Sequence, residues 1–304
     1  MKTQITVFLL ITFFVVPAQA LLNIGLNNLA NTSAPVGVDV AWDATARMAN
    51  YDGSAASSPA GTAVHLGNGY MLTAMHVIVS SHVSFNGTDW LAVDATYTPV
   101  QVAADVDLQI FKLAVVPTTS EVTLHTGGGE SGTLGYSVGW GRGREFDTQI
   151  GDAIQDFGKD PTIDKRWGTN VVRAVEQLSW EGVSATGTTY TQQALVNVLG
   201  DSAGVNEAAL ALWDSGSPFF QEINGTMVLT GIAGTRSMQN GLSGDFKATF
   251  GDDRLSGNPN GRGDANMFVQ IGAYADEILA IVPEPASSGW WLGLFGLLLV
   301  VRRR

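Results

Sequence analysis

Four histidines occur in the chain, His65, His76, His82 and His125, so a reaction that moves protons through an imidazole near neutral pH has few candidates. His76 closes the run Gly69-Tyr70-Met71-Leu72-Thr73-Ala74-Met75-His76, in which an apolar strand leads into a short turn that would expose the ring. Asp107 stands at the start of Asp107-Leu108-Gln109-Ile110-Phe111-Lys112-Leu113, whose apolar positions demand burial. A carboxylate entering such a strand is costly without hydrogen-bond donors, and an imidazole N–H is a good one. Ser215 lies in Trp213-Asp214-Ser215-Gly216-Ser217-Pro218, between the apolar run 208–212 and Phe219-Phe220. A tight Asp-Ser-Gly turn exposes the hydroxyl and makes successive backbone N–H groups converge, which suits the stabilisation of a developing oxyanion. Singly, each residue also has an ordinary reading: a satisfied histidine, a turn-forming aspartate, a plain loop.

In sequence order, the blocks resemble the trypsin-like serine proteases of the chymotrypsin fold. Leu72-Thr73-Ala74-Met75-His76 is similar to that family's L-T-A-A-H segment, Asp107 to Leu113 to D-I-A-L-L-K-L, and Asp214-Ser215-Gly216-Ser217-Pro218 to D-S-G-G-P. Val138-Gly139-Trp140-Gly141 resembles its G-W-G strand, and Phe268 to Ile278 its closing helix. The His, Asp, Ser order differs from the subtilisin and α/β-hydrolase orders. The resemblance implies Ser215 as nucleophile, His76 as general base and then acid, and Asp107 as the carboxylate that fixes the imidazole tautomer. It implies an oxyanion hole made by the backbone N–H groups of Trp213 and Ser215. It further implies substrate-binding positions at Ala209, six residues before the nucleophile, and along Gly231-Ile232-Ala233-Gly234, similar to the strand that pairs with a bound peptide.

The chain also departs from the family pattern. Trp213 and Ser217 stand where the family usually has glycine, and glycine alone adopts positive φ without steric cost. Ala209 replaces the acidic residue of trypsin itself, so cleavage after Arg or Lys is not supported. No Ile-Val-Gly-Gly start follows a basic residue, and there is no cysteine. These departures leave a second expectation open: a catalytically inactive protease scaffold serving as a surface or extracellular-matrix binding module.

The elements that must position these residues read as short strands. β-branched runs punctuated by Gly, Asn and Asp recur at 62–66, 70–73, 83–85, 90–93, 108–113 and 133–139, then at 171–178, 188–198, 227–233 and 267–271. This spacing predicts an all-β protein. Helical spacing occurs at the end, where Tyr274, Ile278 and Ile281 recur over 272–281. With the resemblance, the expected architecture is two packed antiparallel six-stranded β-barrels, 61–125 and 126–281, closed by a short helix and preceded by a loosely structured lead-in over 21–60.

Both ends read as addresses. Lys2, the apolar run 5–16 and Ala18-Gln19-Ala20 form a secretory signal peptide, with cleavage expected after Ala20. Val282-Pro283-Glu284-Pro285, the uncharged stretch 286–301 and Arg302-Arg303-Arg304 resemble the PEP-CTERM sorting signal of Gram-negative bacteria. The first signal implies processing by signal peptidase; the second resemblance implies processing by an exosortase, a transmembrane sorting helix within 282–304 that holds the chain at the membrane before processing, and a final place at the cell surface, in the extracellular matrix or in the medium.

The chain has 304 residues, 16 basic and 28 acidic, for a net charge of −12. With Lys2, Glu284 and Arg302 to Arg304 set aside, 12 basic and 27 acidic residues remain, a net −15 for the body. A body this acidic repels polyphosphate, so nucleic acid is not an expected partner. At 45% hydrophobic residues, a core can form without disulfides. No cofactor is expected, and no metal either, since acidic pairs such as Asp252-Asp253 lack calcium-loop spacing. The expected partners are protein or peptide substrates.

Overall fold

A computed structural model describes residues 22–23, 31–143, 154–156, 160–181, 188–200, 204, 206–237, 247–249 and 264–283. The signal peptide expected over 1–20 and the sorting segment beyond Pro283 lie outside the described residues. Among those described, no helix is long and apolar enough to cross a membrane.

The protein is mostly β, built on two antiparallel seven-stranded sheets. The first comprises β1 (Thr45–Tyr51), β2 (Ala56–Gly67), β3 (Tyr70–Thr73), β4 (His82–Ser84), β5 (Leu91–Ala92), β6 (Val100–Gln101) and β7 (Gln109–Lys112), in the order β5-β4-β1-β2-β3-β7-β6. The second comprises β8 (Leu134–Gly139), β9 (Arg166–Val171), β10 (Ala174–Glu181), β11 (Thr189–Val198), β12 (Pro218–Ile223), β13 (Thr226–Ser237) and β14 (Ala265–Gln270), in the order β9-β8-β12-β13-β14-β11-β10. A short helix, α1 (Ala275–Ile281), follows.

Both sheets curl on themselves. In the second, β9 and β10 are opposite edges of the sheet, yet only Val172 and Arg173 separate them in sequence. In the first, the chain after β5 bonds to the end of β7 through Val93 opposite Leu113, Asp94 N–H to Lys112 O and Ala114 N–H to Ala92 O. The seven strands per sheet correct the six expected for each barrel. The run 171–178, read as one strand, is broken at Val172-Arg173, and two-residue strands such as β5 and β6 fall below what alternation can signal.

The stretch expected to be a loose lead-in contributes β1 and the first part of β2. Its burial comes from Thr45, Ala46, Met48 and Ala49, and three of these four are alanine or methionine, which give no β-propensity signal. The core runs through both sheets, with Val64, Met71, Leu72, Ile110 and Phe111 from the first and Val138, Phe220, Leu229 and Ile232 from the second. Phe219 and Phe268 pack ring to ring at 4.7 Å between centroids. Trp140 is buried and donates its indole N–H to Thr45 O, a structural role. Helix α1 buries Ala275 and Ile278, and Tyr274 at its N-cap accepts the Gln193 N–H on its hydroxyl at 3.0 Å.

Candidate active site

His76 stands just past β3, in a turn held from beneath by Gln109. Its side-chain amide on β7 donates to the carbonyls of Ala74 at 3.0 Å and Val77 at 2.6 Å, with a longer approach to Met75. Because β3 and β7 are hydrogen-bonded neighbours in register, Thr73 opposite Gln109, the turn carrying His76 and the residue two before Gln109 are brought face to face.

That residue is Asp107, which is fully buried. Its Oδ1 accepts the His76 backbone N–H at 2.9 Å and its Oδ2 lies 2.7 Å from His76 Nδ1. A carboxylate can only accept, so Nδ1 carries the proton and the neutral ring keeps Nε2 as its free base. The second sheet supplies further contacts: Trp180 Nε1–H donates to Asp107 Oδ2 at 2.8 Å, and Gln192 Oε1 accepts the Asp107 N–H at 2.9 Å. Thr191 N–H also donates to Asp105 O. The phenol of Tyr190, paired across from Trp180, is raised above its ordinary pKa by burial and, to a lesser extent, by the charge of Asp107.

Ser215 is carried by the turn before β12, which is pinned from several sides. Thr62 N–H donates to Ser215 O at 2.9 Å, Thr62 Oγ1 to Trp213 O, and Gly216 N–H to Ala233 O at 2.8 Å. The buried carboxylate of Asp214 accepts the N–H of Gly141 on Oδ1 and that of Ala211 on Oδ2, each at 2.8 Å. Gly141 allows that approach, since a Cβ there would come within 2.6 Å of Asp214 Cγ. Gly216, at φ +84°, is equally constrained, because a Cβ would collide with Thr62 O and Thr73 Oγ1.

Trp213 has φ +76°, so the conformation that favours glycine is taken up by tryptophan. Its ring is covered by Arg142, whose Cζ lies 4.0 Å from the ring centroid. The backbone N–H groups of Trp213 and Ser215 donate to no acceptor among the described residues, while those of Asp214, Gly216 and Ser217 are all engaged.

His76 and Ser215 line one open cavity of about 380 Å³, together with Trp213, Leu212, Ile78 and Pro59. No hydrogen bond joins Ser215 Oγ to His76 in this structure. Catalytic hydrogen bonds of this kind often tighten only with substrate in place. A larger cavity of about 920 Å³, walled by Trp42, Phe85, Trp140 and Lys165, contains none of the expected catalytic, oxyanion-hole or substrate-binding residues.

The expected substrate-binding positions fare differently. Ala209 is buried and paired with Leu22. Gly231 and Ile232 are paired on both sides, to β12 and to β14, while Ala233 pairs with Phe268 and bonds through N–H and C=O to Ser217 and Gly216. Their backbone groups are used within the fold, so the expectation of a peptide-pairing strand narrows to Gly234, where a bulge begins. From there β13 continues beside β14 through Thr235 and Arg236, past the end of β12 at Pro218. Sequence reading missed Gln109, Trp180, Gln192 and Thr62. The partners through which they hold His76, Asp107 and the Ser215 turn lie 32 or more residues away in sequence, and no local pattern marks such a contact.

No family model matches the chain, and no curated protein matches it. Comparison with solved structures finds the Rv3671c protease of M. tuberculosis in its active form, 14% identical over 77% of this chain and 78% of that one, with a TM-score of 0.46. It also finds neuropsin, a serine protease of mouse brain, 16% identical over 82% of this chain and 96% of that one, with a TM-score of 0.47. Similarity at this level assigns no residue a role.

Proposed function

We propose that the chain is an exported serine endopeptidase with two chymotrypsin-like β-barrels, acting on proteins or peptides at or beyond the cell surface. The reading rests on one observation above all: an imidazole fixed by a buried carboxylate through Nδ1, sharing a cavity with a serine whose turn presents unengaged backbone N–H groups. Ser215 Oγ attacks the scissile carbonyl carbon while His76 Nε2 takes the hydroxyl proton. The carbonyl oxygen becomes an oxyanion, received by the N–H groups of Trp213 and Ser215. Collapse of the tetrahedral intermediate breaks the C–N bond, and His76 returns its proton to the leaving amine. Water then repeats the sequence against the acyl-enzyme, releasing the carboxylic acid and regenerating Ser215. Asp107 stays ionised and stabilises the imidazolium formed in each half-reaction. Export through the signal peptide and release or anchoring through the PEP-CTERM-like tail belong to the same proposal.

The unmade Ser215–His76 hydrogen bond and the tryptophan in the oxyanion turn favour a second reading, an inactive scaffold that binds a partner. A fluorophosphonate probe separates the two. The processed protein should be labelled on Ser215, Ser215→Ala should not be labelled, and His76→Ala should be labelled at least about 10³-fold more slowly. Absence of labelling in processed wild-type protein removes the peptidase reading and leaves the scaffold.

A further inference from the structure

Asp107 receives three hydrogen bonds on two oxygens. His76 supplies two of the donors, its backbone N–H to Oδ1 and its ring Nδ1–H to Oδ2. The third comes from the other sheet, where Trp180 on β10 reaches Oδ2 at 2.8 Å and is 8% exposed. Its ring occupies the space left by a missing side chain. A Cβ at Gly234 would stand 2.9 Å from Trp180 Cε2 and closer still to Cζ2. The bulge at Gly234 and the indole are therefore complementary parts of one arrangement.

We propose that Trp180 is a positioning residue for the His76–Asp107 couple, and that Gly234 is glycine because the indole must pass over it to reach the carboxylate. The inference rests on the peptidase reading and adds to it the residue that aims the base. With Oδ1 held by the His76 backbone and Oδ2 by the indole, the carboxylate plane is fixed independently of the imidazole ring. The Nδ1–H bond then has one direction, and Nε2 one aim. An indole N–H donates and never accepts, so it cannot take a proton from Asp107 or compete for the Nδ1 proton. It holds the carboxylate in the acceptor state that the imidazolium needs. Without it, the second lone pair of a fully buried Oδ2 has no partner, which a low-dielectric site penalises.

The test replaces Trp180 by β-(3-benzothienyl)alanine, which keeps the bicyclic ring and puts sulfur where the N–H was, and in parallel by phenylalanine. In the processed enzyme, kcat is expected to fall about tenfold with KM within about twofold. The acid limb of the pH–rate profile should move to higher pH by about half a unit to one unit, because a less stabilised carboxylate favours the imidazolium. A merely structural role would leave the isostere's pH profile in place. A benzothienyl enzyme with wild-type kcat and an unmoved acid limb overturns the proposal. A readout without catalysis stands beside it: the Trp180 indole proton, assigned by its absence from the phenylalanine variant's ¹⁵N spectrum, should exchange slowly in wild type and at least about tenfold faster in Asp107→Ala. Fast exchange in wild type also overturns the proposal. A wild-type chain that neither hydrolyses peptides nor takes the probe instead removes the peptidase reading, and slow exchange there retains the Trp180–Asp107 bond as a structural contact.

Discussion

Replacing Trp213 tests the oxyanion turn directly, because its backbone and its side chain pull stability in opposite directions. At φ +76° a residue with a Cβ bears about 1–2 kcal/mol of strain. The stacked guanidinium of Arg142, 4.0 Å from the ring centroid, returns about 0.5–2 kcal/mol depending on how dry the contact is. Trp213→Gly and Trp213→Ala both forfeit the stacking, but only glycine also sheds the strain. The glycine variant should therefore be the more stable by about 1 kcal/mol, the reverse of their usual order outside turns. For a body of this size that is about 2–4 °C in Tm. Trp213→Pro is the third member of the series. Proline fixes φ near −65° and has no N–H, so it cannot hold the turn and removes one oxyanion donor, worth about 10²–10³ in turnover. Urea denaturation of the set, combined with fluorophosphonate labelling rates, reads both effects. An alanine variant as stable as the glycine one would refute the strained turn. A proline variant labelled at the wild-type rate would refute the assignment of the Trp213 N–H.

Two further perturbations follow from the same geometry. Asp107→Asn must set an amide NH₂ against either the Trp180 N–H and His76 Nδ1–H or the His76 backbone N–H; kcat/KM at neutral pH should fall by about 10³–10⁴-fold, and a loss under tenfold in steady-state kinetics would contradict the tautomer argument. Lys165 lies between Trp42 and Trp140 with its amine on Trp42 O at 2.7 Å, and burial lowers its pKa to about 7 against the opposing charge of Asp43. A folded value below the unfolded one means that the unfolded chain binds more protons between about pH 7 and 10.5, so stability rises with pH across that window and the penalty is complete below it. Lys165→Met should flatten that slope and stabilise the protein at pH 6 by about 1–3 kcal/mol, measured as urea midpoints at pH 6 and 9; equal midpoint shifts at the two pH values would count against it.

What the sequence disclosed follows from the range of each interaction. His76, Asp107 and Ser215 stand in local blocks whose neighbours repeat a recognisable order, so each could be singled out one block at a time. The strand limits at Tyr70–Thr73, Leu134–Gly139 and Thr189–Val198 fall within a residue of the β-branched runs that signalled them. Strand β1 was hidden because its buried residues after Thr45 are alanine and methionine. That Gly231 and Ile232 are paired on both sides, while β13 runs on past the end of β12 at Pro218, is a fact about neighbouring strands that no local pattern carries. Trp180 is less visible still. A tryptophan on an alternating strand signals burial and carries no mark of the carboxylate its N–H will meet 73 residues away in the chain.

The tolerance of tryptophan in the turn that carries Ser215 has its cause in the same long-range contacts. A strained residue persists where its surroundings over-determine it, and here the turn is tied to both sheets. Thr62 from the first sheet holds the carbonyls of Trp213 and Ser215, while Asp214, gripped by Gly141 and Ala211, and Gly216, bonded to Ala233, tie the turn to the second. With both ends of the Trp213 peptide pair held, a negative φ at Trp213 would break the Thr62 contact or displace Asp214 from two buried N–H groups. Each lost contact of that kind costs about 1–3 kcal/mol, comparable with or greater than the strain it would relieve. The site is thus assembled between the sheets in two places, at Asp107 through Trp180 and Gln192 and at Ser215 through Thr62. A mutation that loosens the packing of one sheet on the other should degrade the aim of the His76 ring and the presentation of the Trp213 and Ser215 N–H groups together.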